Sequence, residues 1–367
     1  MKLPLALVTF CAAGSLLAGE KQLLNLSGIP SKERMNVPVE YVWPENAGEA
    51  AVCLWKDDKA AAISYTIDDN CAMNIDWWLN EAAQREMKLT WFVVTGGISN
   101  SNPAMNGEWS QWQAVYDAGH SVESHTVTHL GGASKPEWKG IEWEYEDSKE
   151  AIDANIAGNT VTALAYPGGG NSSKNDAEVA KEIYIAARGT RGTTNGARGL
   201  DYMSINAMSR PNIGDNPKAS FSDCSLLIDP ESKAYRGWGV FIYHYIKGDN
   251  MDKTREQMDF YYNNRDDFWC ASFSDAAKYA QSRDTSTLEV VENGNNRIVL
   301  NLTDWMKDDL YTYPLTVKVR LPDGWNGFRA KQGEGEELTT QVIEHEGAKY
   351  GLVDIVPDGG QTVLIPG

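Results

Sequence analysis

Histidine is scarce in this chain. Only five occur among 367 residues, so each one restricts where imidazole chemistry can take place. Cysteine is equally rare. Cys11 lies in an apolar amino-terminal run, and Cys53, Cys71, Cys224 and Cys270 have no Cys-x-x-Cys spacing of a metal knot. In an exported protein those four would form up to two disulfides, with three possible pairings; otherwise they are buried thiols. Positive charge is in deficit, since 33 basic against 51 acidic residues give a formal charge of −18. Such a surface repels nucleic acid and anionic membranes and mildly favours a neutral or cationic partner. The chain also lacks a Gly-x-Ser-x-Gly elbow, an internal repeat and a low-complexity tract. The missing elbow disfavours a serine hydrolase of the triad type.

What is present begins with Met1-Lys2, an apolar run from Leu3 to Leu17, and small residues before Glu20. That pattern predicts a signal peptide over 1–19 and a secreted protein, periplasmic or extracellular. The run is short for a spanning helix, which needs about 20 apolar residues, so no stable membrane span is expected; the alternative is an uncleaved anchor. Residues 20–50 read as an extended arm. From Ala60 the texture alternates. "AAAISYT", "LTWFVV", "HSVES", "TALAYP", "GVFIYH" and "FWCAS" read as strands. "NIDWWLNEAAQREMK", "EWSQWQAVYDAG", "IEWEYEDSKEAIDANIA" and "DKTREQMDFYYNN" read as helices, with Gly119 placed to close the second. Strand-helix alternation predicts parallel strands with crossover helices, and this many units predict a barrel over 51–284. After Arg283 short strands separated by Gly, Asn and Asp predict a small all-β, sandwich-like domain over 285–367.

In a parallel barrel, reactive side chains gather at the carboxyl ends of strands. Four predicted strand ends carry such residues: "SYTIDDN", "SHTVTH", "AYPGGG" and "IYHY". Asp69, His125 and His129 would offer one oxygen and two nitrogens to a metal ion, leaving positions open for water and substrate. Asp68 would serve as base, His244 as acid from the other side, and the Gly168 N–H as an oxyanion donor. Each feature has a plainer reading. Asp-Asp-Asn is often a cap or turn, a histidine in an aromatic strand is often core, and Gly168-Gly169-Gly170 without a lysine is an ordinary loop, not a P-loop. The combination at successive strand ends is what gives them specificity. Thr126 stands where a zincin would carry its glutamate base, so the base must come from elsewhere.

Together these residues resemble the polysaccharide deacetylases of carbohydrate esterase family four, the NodB-type domain. Thr66-Ile67-Asp68-Asp69 resembles the family's Thr-Phe-Asp-Asp, "HTVTH" its paired-histidine motif, "AYPGG" its third motif and "IYHY" its last. The resemblance covers roughly residues 55 to 282. It implies a distorted (β/α)7 barrel, with Asp69, His125 and His129 as ligands of zinc or another divalent ion such as cobalt, nickel or manganese. It implies Asp68 as base and His244 as acid in removing an acetyl group, N- or O-linked, from an acetylated poly- or oligosaccharide. Tyr166, Pro167 and Gly168 would form the oxyanion corner.

Some positions depart from the family's pattern. Ile67 and Asn70 replace the usual Phe and Gly. Ala165 stands where many members have an arginine that orients the base; Arg188, Arg191 or Arg210 would have to substitute. No Asp-x-x-Asp-Trp motif is evident, which leaves Trp238 or Trp269 to wall the acetyl pocket. The missing arginine keeps open a carbohydrate-binding protein of weak or no turnover on the same barrel, and hydrolysis of a non-sugar amide is a third reading. The 13 tryptophans serve as sugar-stacking surfaces or as core.

Overall fold

The computed structural model describes residues 21–34, 37–99, 102–169, 175–209 and 225–367. The expected signal peptide, Cys11, Gly170, Arg210 and Cys224 lie outside the described residues.

The first strand, β1 (Ala50–Val52), belongs with the carboxy-terminal sheets. The barrel strands follow: β2 (Ala61–Ile67), β3 (Leu89–Val93), β4 (Ser121–Ser124), β5 (Ala163–Ala165), β6 (Ala186–Arg188), β7 (Met208–Ser209), β8 (Trp238–Tyr243) and β9 (Phe268–Cys270). Their order is β6-β5-β4-β3-β2-β8-β7, with β9 also paired to β2, and every pairing is parallel. A parallel bridge from Arg188 to Ile205 links β6 to the segment leading into β7, so the sheet curls back on itself as a distorted (β/α) barrel. All seven residues of β2 are buried, as a parallel strand covered on both faces requires.

Crossover helices cover the outside: α1 (Ile75–Gln84), α3 (Trp109–Asp117), α4 (Ile141–Asn155), α5 (Ala177–Ile183), α6 (Asp249–Asn263) and α7 (Phe273–Thr285), with the short α2 (Pro103–Asn106) preceding α3. Gly119 has φ +83° just past the end of α3, the conformation its predicted closing role requires. Helix α7 has no counterpart among the predicted elements. It is buried on nearly all sides, Ser282, Arg283, Asp284 and Thr285 included, so it lacks the polar face that marks a surface helix in sequence.

Beyond α7 lie β10 (Thr287–Gly294), β11 (Arg297–Thr303), β12 (Leu315–Arg320), β13 (Phe328–Gln332), β14 (Glu337–Leu338), β15 (Thr340–His345), β16 (Ala348–Ile355) and β17 (Thr362–Pro366). They form two antiparallel sheets, ordered β1-β12-β16-β15 and β10-β11-β17-β13-β14. The two sheets meet closely: a Cβ at Gly351 in β16 would stand 2.5 Å from the Phe328 ring of β13.

The expected boundary between arm and barrel at 50/51 falls inside β1, whose Ala50–Val52 pair with Val317–Val319 of β12. The arm is packed rather than free: Leu26 is buried, and Trp43 stacks on His345 at 3.8 Å. Cys53, Cys71 and Cys270 are free thiols, so no disulfide forms among the described cysteines.

Candidate active site

Strand β2 ends at Ile67, and the Asp68 N–H continues its ladder by donating to Tyr243 O at 2.8 Å. The chain then turns sharply, with φ of 56°, 62° and 53° at Asp69, Asn70 and Cys71. For residues with a Cβ this left-handed region costs roughly 1–2 kcal/mol each. Asn70 holds the turn. Its buried side chain accepts from the Val94 N–H at 2.7 Å and donates to Asn106 O at 3.0 Å. Asparagine tolerates this conformation better than most residues, which explains why it can replace glycine here.

The second contribution comes from the loop after β4. His125 Nδ1 lies 2.7 Å from Ala165 O, and a carbonyl can only accept, so the proton sits on Nδ1 and the Nε2 lone pair faces inward. His129 follows in a left-handed conformation, φ 55°. Asp69 Oδ1 lies 3.5 Å from His125 Nε2 and 3.4 Å from His129 Nε2. Two donors each about 2.1 Å from one ion at a tetrahedral angle stand about 3.4 Å apart. The three donor atoms all lie within 4.8 Å of one another, so Asp69, His125 and His129 fit a single divalent ion.

The electrostatics agree. The neighbouring His125 first, with His129 and His244 beside it, outweighs the effect of burial and lowers Asp69 to about 2, the ionised form that a cation would take. Burial, followed by the neighbouring His125, pulls His129 below the usual imidazole value, which favours the neutral ligand form.

Asp68 is buried and turned to a different partner. Arg188 Nη2 donates to Asp68 Oδ1, while Asp68 Oδ2 lies 3.9 Å from His125 Nε2. Adjacent carboxylates would repel, and separate partners resolve that repulsion. Arg188 is wholly buried on β6, with its guanidinium 4.8 Å from the centroid of the Phe92 ring. Its Cα partner across the strand pair is Ala165. An arginine thus reaches Asp68 from one strand over, at the level of Ala165. Of the three candidates, Arg191 is exposed and Arg210 lies outside the described residues.

After β5, the Gly169 N–H donates to Tyr166 O at 2.9 Å, with Pro167 second and Gly168 third at φ +68°. This is the type II turn that a Pro-Gly pair favours. Tyr166 and Pro167 are buried, and Gly168 is exposed. His244 follows β8, its Nε2 3.7 Å from Asp69 Oδ2. The side chains of Asp69, His129 and His244 are 42%, 43% and 56% exposed, so the mouth is open to a large substrate.

Trp238 and Trp269 are not at this mouth. Both pair with Ala62, near the start of β2 and roughly 20 Å down the strand from Asp68. Trp238 donates to Ser64 Oγ at 3.0 Å, and Trp269 packs on Trp55, Tyr279 and Tyr313. They are core residues, and the expectation that either walls the acetyl pocket is corrected. His120 is buried below the mouth, its Nδ1 accepting from the Leu89 N–H at 3.2 Å. Tyr245 is 46% exposed beside His244, a placement the sequence does not mark because an aromatic residue after a strand carries no signal of its own.

Residues 56–186 match the polysaccharide deacetylase family model. The resemblance read from the motifs holds over that segment. The deacetylase match takes in both aspartates, both histidines and the Pro-Gly turn, whereas Arg188 and His244 lie beyond it. A gellan lyase of a Bacillus species is 36% identical over 369 residues, covering 94% of this chain and 14% of that protein. The chain thus spans a small part of the curated relative it matches, and the likeness takes in the antiparallel sheets as well as the barrel.

Among solved structures, the family 4 carbohydrate esterase from Streptomyces lividans in complex with acetate is 15% identical, covering 58% of this chain and 92% of that one, with a TM-score of 0.38. The Streptococcus pyogenes deacetylase PplD in complex with acetate is 22% identical, covering 43% of this chain and 68% of that one, at 0.36. A family pseudoenzyme from Bacillus anthracis is 13% identical, covering 56% and 62%, at 0.37.

Proposed function

We propose that this chain is a metal-dependent hydrolase that removes acetyl groups from a carbohydrate. The observation that carries the reading is the cage of Asp69, His125 and His129 beside Asp68, whose outer oxygen is held by a buried Arg188. The donor set suits zinc, with cobalt, nickel or manganese as alternatives. When bound there, a divalent ion would acidify water and polarise the acetyl carbonyl.

The remaining work falls to the chain's own side chains. Asp68, fixed by Arg188, takes the proton from water as a bond forms from its oxygen to the acetyl carbon. The Gly168 N–H donates to the carbonyl oxygen as negative charge gathers on it. His244 then gives a proton to the departing sugar nitrogen or oxygen, the bond from the acetyl carbon to that atom breaks, and acetate leaves. With Trp238 and Trp269 in the core, Tyr245 beside His244 offers the aromatic face on which a sugar ring would rest. We also infer export, from the apolar run at Leu3–Leu17. No helix among the described residues is long and apolar enough to cross a membrane.

The test is acetate release from chitooligosaccharide, peptidoglycan fragments, acetylated xylan and gellan, with added zinc and with chelator. Release that the chelator abolishes is expected from at least one of them. Metal-loaded protein that binds one of these glycans and releases no acetate from any would leave the binding-only reading instead.

A further inference from the structure

The two histidine ligands are placed by different means. His125 is oriented at its ring, by Ala165 O on β5. His129 is more exposed and is placed by its backbone, in a loop where Thr126, His129 and Leu130 all have left-handed φ of 70°, 55° and 54°. Something outside the loop must hold so unfavourable a path. One side of it is stitched to the end of β3, where the Thr95 and Gly96 N–H groups donate to Thr126 O and Val127 O at 3.1 and 2.8 Å.

The other side rests on Glu144 of α4. This carboxylate is fully buried and takes three hydrogen bonds. The Thr128 N–H donates to Oε2 at 2.8 Å, the Thr128 hydroxyl donates to Oε1, and Trp138 Nε1 donates to Oε1 at 3.1 Å. Glu144 lies in the first turn of its helix, where the unpaired N–H groups favour a negative charge. A buried acid held by neutral donors is a poor way to gain stability, and an apolar residue would serve the core better. Two of its three hydrogen bonds come from Thr128, the residue immediately before His129.

We propose that Glu144 is a positioning residue for the metal centre: it clamps Thr128 and so holds His129 at its distance from Asp69. The inference rests on the metal reading above and adds to it a residue outside every motif of the site.

The test is zinc affinity, by competition with a chromophoric chelator, together with melting temperature and amide exchange at Thr128 and Gly131. Glu144→Ala and Thr128→Val should each weaken zinc binding by roughly 10–100-fold, as loss of a supporting residue does. The double variant should be little worse than Glu144→Ala alone, and Glu144→Gln should fall between. Ile152→Ala, a buried truncation elsewhere on α4, should lower the melting temperature and leave zinc affinity unchanged.

Folded Glu144→Ala with wild-type affinity would overturn the proposal, and so would an equal loss in Ile152→Ala. Should the wild type bind no zinc, the metal reading fails. Exchange still decides the clamp in that case: protection at Thr128 and Gly131 lost in Glu144→Ala but kept in Ile152→Ala supports it, and protection kept in both refutes it.

Discussion

Arg188 shows how a single residue can be displaced in sequence and kept in space. It faces Ala165 across the β5–β6 pair and reaches Asp68, so that carboxylate has a cationic partner although β5 has none. Arg188→Met should cut kcat about 100-fold or more, the range a positioned base contributes. Metal content should stay constant while the rate falls, because Arg188 bonds Asp68 and none of the three residues of the cage. Pairing Ala165→Arg with Arg188→Ala should restore part of the rate. Unchanged kcat in Arg188→Met would show that Asp68 does not need its partner. His120 supplies a second residue-level prediction. Burial, with a smaller effect from Lys88, lowers it to about 4, so the fold holds it neutral while the unfolded chain titrates near 6.5. Its contribution is present above about pH 6.5 and is lost as pH falls towards 4, up to about 3 kcal/mol. Glu123, raised by burial to about 7, and Asp304, raised by burial to about 6, act in the opposite sense and lose stability as pH rises. They are common to wild type and His120→Gln, so the difference between the two proteins in denaturant melts at pH 7 and pH 4 isolates His120. A constant difference would refute the assignment.

At the scale of elements, the site depends on loops that leave their strands through left-handed backbone. Asn70 is the pin of the first. Asn70→Gly relaxes the φ of 62° but loses the side-chain bonds to Val94 and Asn106, whereas Asn70→Ala loses the bonds and keeps the strain. Melts should rank wild type above Gly above Ala, with costs of about 1 and about 2–3 kcal/mol; Ala as stable as Gly would show that the turn is unstrained. These loops also mark where sequence reading stopped. The strands ending at Ile67, Ala165 and Tyr243 were legible because buried parallel strands are continuous apolar runs, and the cluster of Asp69, His125 and His129 was legible because histidine is so rare. Helix α7 was not, because burial on nearly all sides removes the amphipathic pattern. Glu144 was not, because one acid among several in "EWEYED" looks like any solvated helix face. Trp238 and Trp269 misled, since tryptophan near a strand end suits a sugar site and a core equally well.

Across the whole molecule the barrel and the antiparallel sheets share one hydrophobic core. The Tyr279 hydroxyl of α7 donates to Cys53 O at 3.0 Å and accepts from the Thr316 N–H of β12 at 3.4 Å. Buried Lys318 of β12 pairs with Asp58 at 2.5 Å, and β1 from the amino-terminal side completes the sheet containing β12. Change of texture after Arg283 marked where the sheets begin, but nothing in "EAAV" announced that an earlier segment joins them, because strand partners far apart in sequence leave no local trace. The full chain should therefore unfold in one calorimetric transition, with calorimetric and van't Hoff enthalpies equal; two separate transitions would show that the sheets are an independent unit. The reading of function converges on the cage at the mouth of this barrel. Its most direct test is the metal content of purified protein, wild type against Asp69→Ala, after exposure to zinc and removal of the excess. Near one zinc per wild-type chain and close to none in the folded variant is the predicted result, and equal metal in both would contradict the account.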